Sequence, residues 1–296
     1  MDNTSLSHFV QVTINGLSMG CVYALVAVGY GMVYGILNMI NFAHGEIYMF
    51  GAYIAYSALV CKMGLFSSIL LSLFFCGVLG VTVERLAYKP LREASRIAPA
   101  LTAMAVALLI RSAVMIIWGS SPIMFPQVIN NKPIILNNNI RFYPLQFSII
   151  FVTIVIWVFS LWLFKYTKIG KAIRAVSQDR NTAWLMGIDA DKIVSIVYLY
   201  GSILAAIAGF LIANYYILLF PLMGFLGTIR AWTAAVLGGI GKLSGAVIGG
   251  LLIGLVESFA MTYISTAYKD VIIFIVLIII LLVMPRGLLK GRGQKV

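Results

Sequence analysis

The stretch NMINFAHGEIYMFGAY, residues 38–53, places Asn38, Asn41, His44 and Glu46 in a chain that otherwise reads like lipid. A charge at the centre of a membrane span costs about 2.5–3.5 kcal/mol on insertion scales, so such groups face protein or water. Three roles are open on the residues alone. The four form a short cytoplasmic turn and scaffold, a polar break beside a translocation pathway as in broken transporter helices, or a proton relay through His44 and Glu46. The relay would belong to a secondary transporter.

Other groups able to do chemistry are sparse. Arg111 lies inside the apolar run 98–117 and Glu257 inside 244–264, where pairing across helices or snorkelling are the options, with pairing the default for Glu257. Lys269 and Asp270 sit at a span start, as anchors would. A metal-dependent membrane enzyme would need an Asp-rich or His-Glu-x-x-His cluster, whereas His44 has only Glu46 nearby and His8 lies in the N-terminal segment. Cys21, Cys61 and Cys76 show no paired spacing and read as packing residues. The nearest approach to a phosphate loop, VLGGIGKLS at 236–244, has Val236 in place of the first glycine and Leu243 in place of the hydroxyl residue, and no strand precedes it.

The elements that must position these residues follow from composition. Of the 296 residues 62% are hydrophobic and 10% charged, with a mean hydropathy of +1.02. That excludes a soluble domain and makes the chain an all-α polytopic transmembrane helical bundle. A hydrocarbon core of about 30 Å takes roughly 20 apolar helical residues. Runs of that kind lie near 12–37, 43–60, 65–83, 98–117, 146–164, 193–213, 217–237, 244–264 and 270–285. Nine spans result, or eight if the glycine-broken region 217–264 hides a re-entrant piece. MDNTSLSHFVQVTING has no basic n-region, so the first span is expected to be retained.

The net charge of +12 fits a membrane address rather than nucleic acid, because the basic residues crowd short loops. Arg85, Lys89, Arg92 and Arg96 share one loop, Lys165, Lys168, Lys171, Arg174, Arg180 and Lys192 another, and Arg286, Lys290, Arg292 and Lys295 close the chain. The positive-inside rule makes all three cytoplasmic, with the N-terminus outside and the C-terminus inside. The 118–145 loop, rich in Pro and Asn with only Lys132 and Arg141, fits the outside. The polar loops are under about 30 residues, too short for a folded soluble domain of about 50 or more. One transmembrane domain therefore accounts for residues 1–296.

Four glycine pairs have G-x-x-x-G spacing: Gly16 and Gly20, Gly31 and Gly35, Gly245 and Gly249, Gly250 and Gly254. Small residues one turn apart let helices approach, which argues for a tight bundle. LGGIGKLSGAVIGG, 237–250, is the best candidate for a discontinuous helix.

The loop KYTKIGKAIRAVSQDRNTAWLMGIDADKI, 165–193, contains two amphipathic pieces. Ile169, Ala172, Ile173 and Val176 fall at helical spacing, as do Ala183, Trp184 and Met186 before Gly187, which is placed as a helix stop. An apolar face there docks either on the bundle's own end or on a separate subunit.

YALVAVGYGMVYGILNMINFAHGEIYMFGAY, ERLAYKPLR, GKAIRAVSQDRNTAWLMGID, TAAVLGGIGKLSGAVIGGLLIGLVES and STAYKDVIIFIVLIIILLVMPRGLL together resemble the bacterial branched-chain amino acid ABC transporter permeases, specifically the first of their two membrane subunits. The resemblance runs from about Asn15 to Leu289. It implies an inner-membrane importer subunit for branched-chain or related amino acids. The implied partners are a second homologous permease, two ATP-binding cassette ATPase subunits and an extracytoplasmic substrate-binding protein that meets the outer loops. ATP and Mg would be bound by those partners, with no cofactor, metal or catalytic residue in this chain.

The resemblance also implies that 165–192 is a coupling loop seated in a cleft of the ATPase, with Asp179, Arg180, Ala183 and Gly187 as its docking residues. Many importers carry Glu-Ala-Ala-x-x-x-Gly there. This chain has Asn181-Thr182-Ala183 followed by Gly187, which keeps the Ala-x-x-x-Gly spacing and loses the glutamate, leaving charge pairing to Asp179 and Arg180. A urea or short-amide permease shares the N-x-x-H-G-E block, although the fuller INFAHGEIYMFGAY tilts toward amino acids. A self-sufficient secondary transporter would have to work with Glu46 and Glu257, a thin supply of membrane carboxylates.

Overall fold

The computed structural model describes residues 3–37, 39, 41–92, 94, 97–128, 132–137, 140–284 and 287–289. With no water to satisfy backbone groups in a bilayer, each apolar run closes its own hydrogen bonds as a helix. The chain runs α1 (Asn3–Leu37), α2 (His44–Val60) and α3 (Leu65–Val83), which continues through a π turn (Glu84–Tyr88) and a 3-10 turn (Lys89–Leu91). Next come α4 (Ile97–Trp118), three short strands β1 (Ile123–Met124), β2 (Ile134–Asn137) and β3 (Ile140–Phe142), then α5 (Pro144–Tyr166). The loop expected to dock forms α6 (Lys168–Gln178) and α7 (Arg180–Leu185). After it follow α8 (Ala190–Tyr216), β4 (Leu218–Leu219), α9 (Met223–Gly238), α10 (Leu243–Tyr263) and α11 (Lys269–Val283).

The nine apolar runs correspond one for one to α1, α2, α3, α4, α5, α8, α9, α10 and α11. Seven of the helices are long and apolar enough to cross a membrane. The two others, α2 with 17 residues and α9 with 16, fall short of the roughly 20 a crossing requires. The sequence leaves nine spans or, with a re-entrant piece in 217–264, eight; the short α9 lies in that region, and the shortening of α2 is additional.

Burial sorts the helices into a centre and a rim. In their most apolar windows α1 and α8 are 78% and 72% buried, whereas α4, α5 and α11 are 22%, 17% and 11% buried and present leucine, isoleucine and phenylalanine outward. Glycine sets the closest approach of α1 and α10. A methyl group on Gly20 would lie 2.7 Å from the Leu251 Cα, and one on Gly250 2.5 Å from the Ala24 Cα, so α1 and α10 touch backbone to backbone. Gly245 and Gly249 meet Gly238 and Ala234 of α9 in the same way. Among the described residues nothing lies within 4 Å of such a methyl on Gly31, and one on Gly35 meets only the Gly241 Cα of the α9–α10 turn at 3.4 Å, so the pair Gly31 and Gly35 joins no two helices there.

The two ends of the bundle differ. At one end β1 pairs antiparallel with β4 (Ile123 opposite Leu219), and β2 pairs with β3 as a hairpin in the 118–145 loop. The Arg141 backbone N–H donates to Gln11 there (2.9 Å). At the other end lie the end of α1, the turns after α3, α6, α7 and the α9–α10 turn, with most of the described basic residues. Arg96 and the basic cluster after Met284 lie outside the described residues. Cys21 and Cys76 are buried, as packing residues should be; Cys61 is exposed at the end of α2 and is not one.

Candidate functional site

His44 opens α2, and its ring packs against the last third of α1, about two turns short of that helix's end. A methyl on Gly29 would lie 2.9 Å from the His44 Nε2, and the two rings of Tyr30 and His44 meet edge-on at 6.2 Å. Gly29 precedes the last residue of α1, Leu37, by eight positions, about 12 Å of helix. α1 therefore ends at the basic end, whereas α2 begins inside the bundle, alongside α1. The polar break is an internal feature of the fold, not a turn at its surface.

Asn41 and His44 are each 2% exposed and Glu46 1%. The Asn41 Oδ1 accepts from the Ala43 N–H (3.1 Å) and from the Tyr88 hydroxyl (2.8 Å), tying the break to the extension of α3. The Asn41 carbonyl accepts the His44 N–H (3.3 Å). Asn38 lies outside the described residues. Residues two apart on a helix point to different sides, and so the structure does not bring His44 and Glu46 together. His44 faces α1, whereas Glu46 faces α4 and α9, where it pairs with Arg111. The Arg111 guanidinium stands 5.5 Å from the Phe225 ring centroid. Gly224 leaves the space that the other carboxylate oxygen fills.

Two more charged clusters are built into the bundle. Glu257 of α10 accepts from the Tyr23 hydroxyl (2.5 Å) and pairs with Arg230 of α9 (3.1 Å), which also reaches Asp270 of α11 (2.7 Å). Lys269 stands 3.9 Å from Glu257, so the expected anchors at the α11 start join this cluster. At the basic end buried Glu84 pairs with Arg92 and accepts from Ser195 (2.7 Å), and Arg92 continues to Asp191 (2.7 Å). The sequence reading passed over Arg230 and Glu84. Their signal was available: each is a charge inside or at the edge of an apolar run.

The two pieces of the 165–193 loop behave differently. Thr167 caps α6, accepting from the Gly170 N–H (3.1 Å). Ile173 and Val176 are buried against the bundle, although Ile169 is 40% exposed. Asp179 caps α7, its carboxylate accepting from the N–H groups of Asn181 (2.8 Å) and Thr182 (3.2 Å) and from the Thr182 hydroxyl (2.9 Å). These bonds, led by those from Thr182, hold the Asp179 carboxyl below the usual range. Arg180 pairs with Asp191. Ala183 packs inward, while Trp184, Leu185 and Met186 are 71%, 77% and 78% exposed. Gly187 ends the helix at φ +79°, with its N–H donating to Trp184 (2.9 Å) and that of Ile188 to Ala183 (3.0 Å). Asp179, Arg180, Ala183 and Gly187 thus fall in one compact turn whose outer face is apolar and unburied.

The glycines of VLGGIGKLS lie at the α9–α10 turn, where Gly238 packs on Gly245. They close a helix pair and form no phosphate cradle. Among the described residues no group of three or more His, Cys, Asp or Glu is placed to hold a metal ion.

Comparison with known proteins adds an independent line. Residues 12–281 match the family described as branched-chain amino acid transport system / permease component. The chain is 38% identical, over 97% of both chains, to the high-affinity branched-chain amino acid transport system permease protein LivH of Salmonella typhimurium. It is 39% identical, again over 97% of each, to the corresponding protein BraD of Pseudomonas aeruginosa. Among solved structures it resembles PsaBC from Streptococcus pneumoniae in complex with Fab, with a TM-score of 0.52 at 14% identity over 96% of this chain and 95% of that one. That likeness is one of fold alone.

Proposed function

The chain belongs to the branched-chain amino acid transport permease family, and on that premise we propose that it works as one permease domain in an ATP-driven importer of branched-chain or related amino acids. Its partners in this reading are a second, homologous permease, two ATPase subunits that bind ATP and Mg, and an extracytoplasmic binding protein. The relatives are permease proteins rather than enzymes. They lend no support to a urea permease, a secondary transporter or a membrane enzyme.

The observation that carries the partner reading is the α7 turn. An apolar side chain of Trp, Leu or Met left in water is an interaction surface when three of them adjoin on a well-capped turn. α6 buries its own apolar face on the bundle, so α7 is the piece left over for another chain. The basic end is the cytoplasmic one by the positive-inside rule, which puts α7 where an ATPase is found and the β-paired end where a binding protein arrives. On this reading the protein is a multi-pass inner-membrane protein with its C-terminus in the cytoplasm. We read the buried segment Asn41–Glu46 as a helix break beside the transport pathway, a reading supported by its burial. We assign Asn41 and the Glu46–Arg111 pair to holding that segment in shape.

The test is purification of the tagged protein in mild detergent from its native membrane, with the co-purifying chains identified, for wild type and Leu185→Asp. Recovery of two ATPase subunits and a second permease with wild type, and loss of the ATPase alone with Leu185→Asp, is the expected result. A wild-type protein that purifies alone and transports after reconstitution without ATP would sink the reading.

A further inference from the structure

One carboxylate at the basic end collects cations from two other segments. Asp191 is the second residue of α8, and its side chain pairs with Lys89 (3.0 Å) and Arg92 (2.7 Å), both on the turns that extend α3, and with Arg180 on α7. Arg92 continues to Glu84, and Glu84 accepts from Ser195 (2.7 Å), one turn along α8 from Asp191. The ring Asp191–Arg92–Glu84–Ser195 therefore clamps α3 to α8. Arg180 enters it from outside, through Asp191.

Burial grades this network. The side chains of Glu84 and Arg92 are 1% and 4% exposed, those of Asp191 and Arg180 38% and 43%. Burial makes the inner pair a fixed joint, since separating charges there leaves one of them unpaired. The outer pair is a surface contact of the kind that contributes little to stability and separates readily. Stability does not account for it, and its position does: it is the link from the α7 turn to two helices of the bundle. α8 runs 27 residues, about 40 Å, from this joint to the strand β4 at the opposite end. A displacement of α7 thus has a rigid lever to act on.

We propose that Asp191 is a positioning residue that transmits movement of α7 to α3 and α8, and that the Arg180–Asp191 contact is the separable step of this transmission. The inference rests on the reading of α7 as the ATPase-docking turn. It accounts for an ion pair that the α7 fold does not require, because Asp179 already caps that helix.

The experiment uses the assembled transporter in proteoliposomes, with ATP hydrolysis and substrate uptake measured together. Arg180→Gln, Asp191→Asn and the double variant are compared with wild type. Each single change should lower uptake per ATP by roughly tenfold or more while subunit recovery stays normal, and the double variant should be no worse than Asp191→Asn alone, since Arg180 acts through that carboxylate. A structural defect would reduce the amount of complex without changing that ratio. Wild-type uptake per ATP in correctly assembled Arg180→Gln, or losses that multiply in the double variant, overturns the proposal. Should Asp191→Asn fail to assemble, Arg180→Gln alone decides, since that side chain is exposed. Wild type lacking ATP-driven uptake would instead overturn the function on which the proposal rests.

Discussion

The carboxylate of Glu46 on α2 pairs with the guanidinium of Arg111 on α4, 65 residues further along the chain. It joins the start of a central helix to a helix of the rim that buries little else. Removing one partner of such a pair strands a charge away from water, at a cost of about 3–5 kcal/mol, whereas removing both is far milder. Arg111→Gln should lower the unfolding temperature in detergent more than Glu46→Gln combined with Arg111→Gln does. If Glu46→Gln leaves fold stability intact but changes substrate selectivity, the carboxylate meets the substrate instead and the structural assignment fails.

The glycine spacings separate into two classes that sequence cannot tell apart. Gly250→Ala puts a methyl against the Ala24 backbone and should destabilise the α1–α10 crossing by about 1–3 kcal/mol, the usual range for an overpacked core. Gly31→Ala meets open space and should be neutral within about 0.5 kcal/mol. Thermal unfolding of the two variants side by side checks both; equal losses would mean the helices do not cross as described.

Gly187 lies open to solvent, so its constraint is the left-handed backbone and not room for a side chain. Gly187→Asn should keep most ATP-driven uptake, because asparagine tolerates φ > 0, while Gly187→Val should lose most of it at normal membrane levels. Equal activity of the two variants would remove the argument from backbone conformation.

The Asp179 cap carries a signed pH dependence. Its carboxyl is held below the ordinary value, so the cap is fully formed above the unfolded-state pKa of about 4 and is lost as pH falls through the lower, folded value. Amide exchange across α7 should show protection that does not change between about pH 5 and 8 in a way assignable to this group. Asp179→Ala should reduce that protection throughout, and Asp179→Asn, which retains an acceptor, much less. Loss of protection in wild type near pH 6 would assign the cap to another group.

The nine apolar runs, the charge-sorted loops and the stop at Gly187 were legible in sequence because each is a local property: run length, sign of charge, backbone preference. Family blocks in the right order did the rest for function. The depth of the polar break was not legible, since an Asn-x-x-Asn-x-x-His-x-Glu string reads alike at a membrane surface and in a bundle. Only the packing of His44 beside Gly29 places it inside. Sequence likewise named Arg111 and Glu46 as intramembrane charges without joining them, and missed Arg230, Glu84 and the role of Asp191 as a shared partner.

What the sequence by itself determined is a helical membrane bundle with a docking-type loop at its basic end that stops at Gly187, because hydropathy, charge and backbone preference act between neighbours in the chain; the permease family is carried by the resemblance of its sequence blocks. What only the tertiary structure decided is which charges meet, which glycines carry a crossing and which apolar faces stay open. Those depend on segments tens to hundreds of residues apart, such as Tyr23 and Glu257, being brought within hydrogen-bond reach by the packing of the whole bundle.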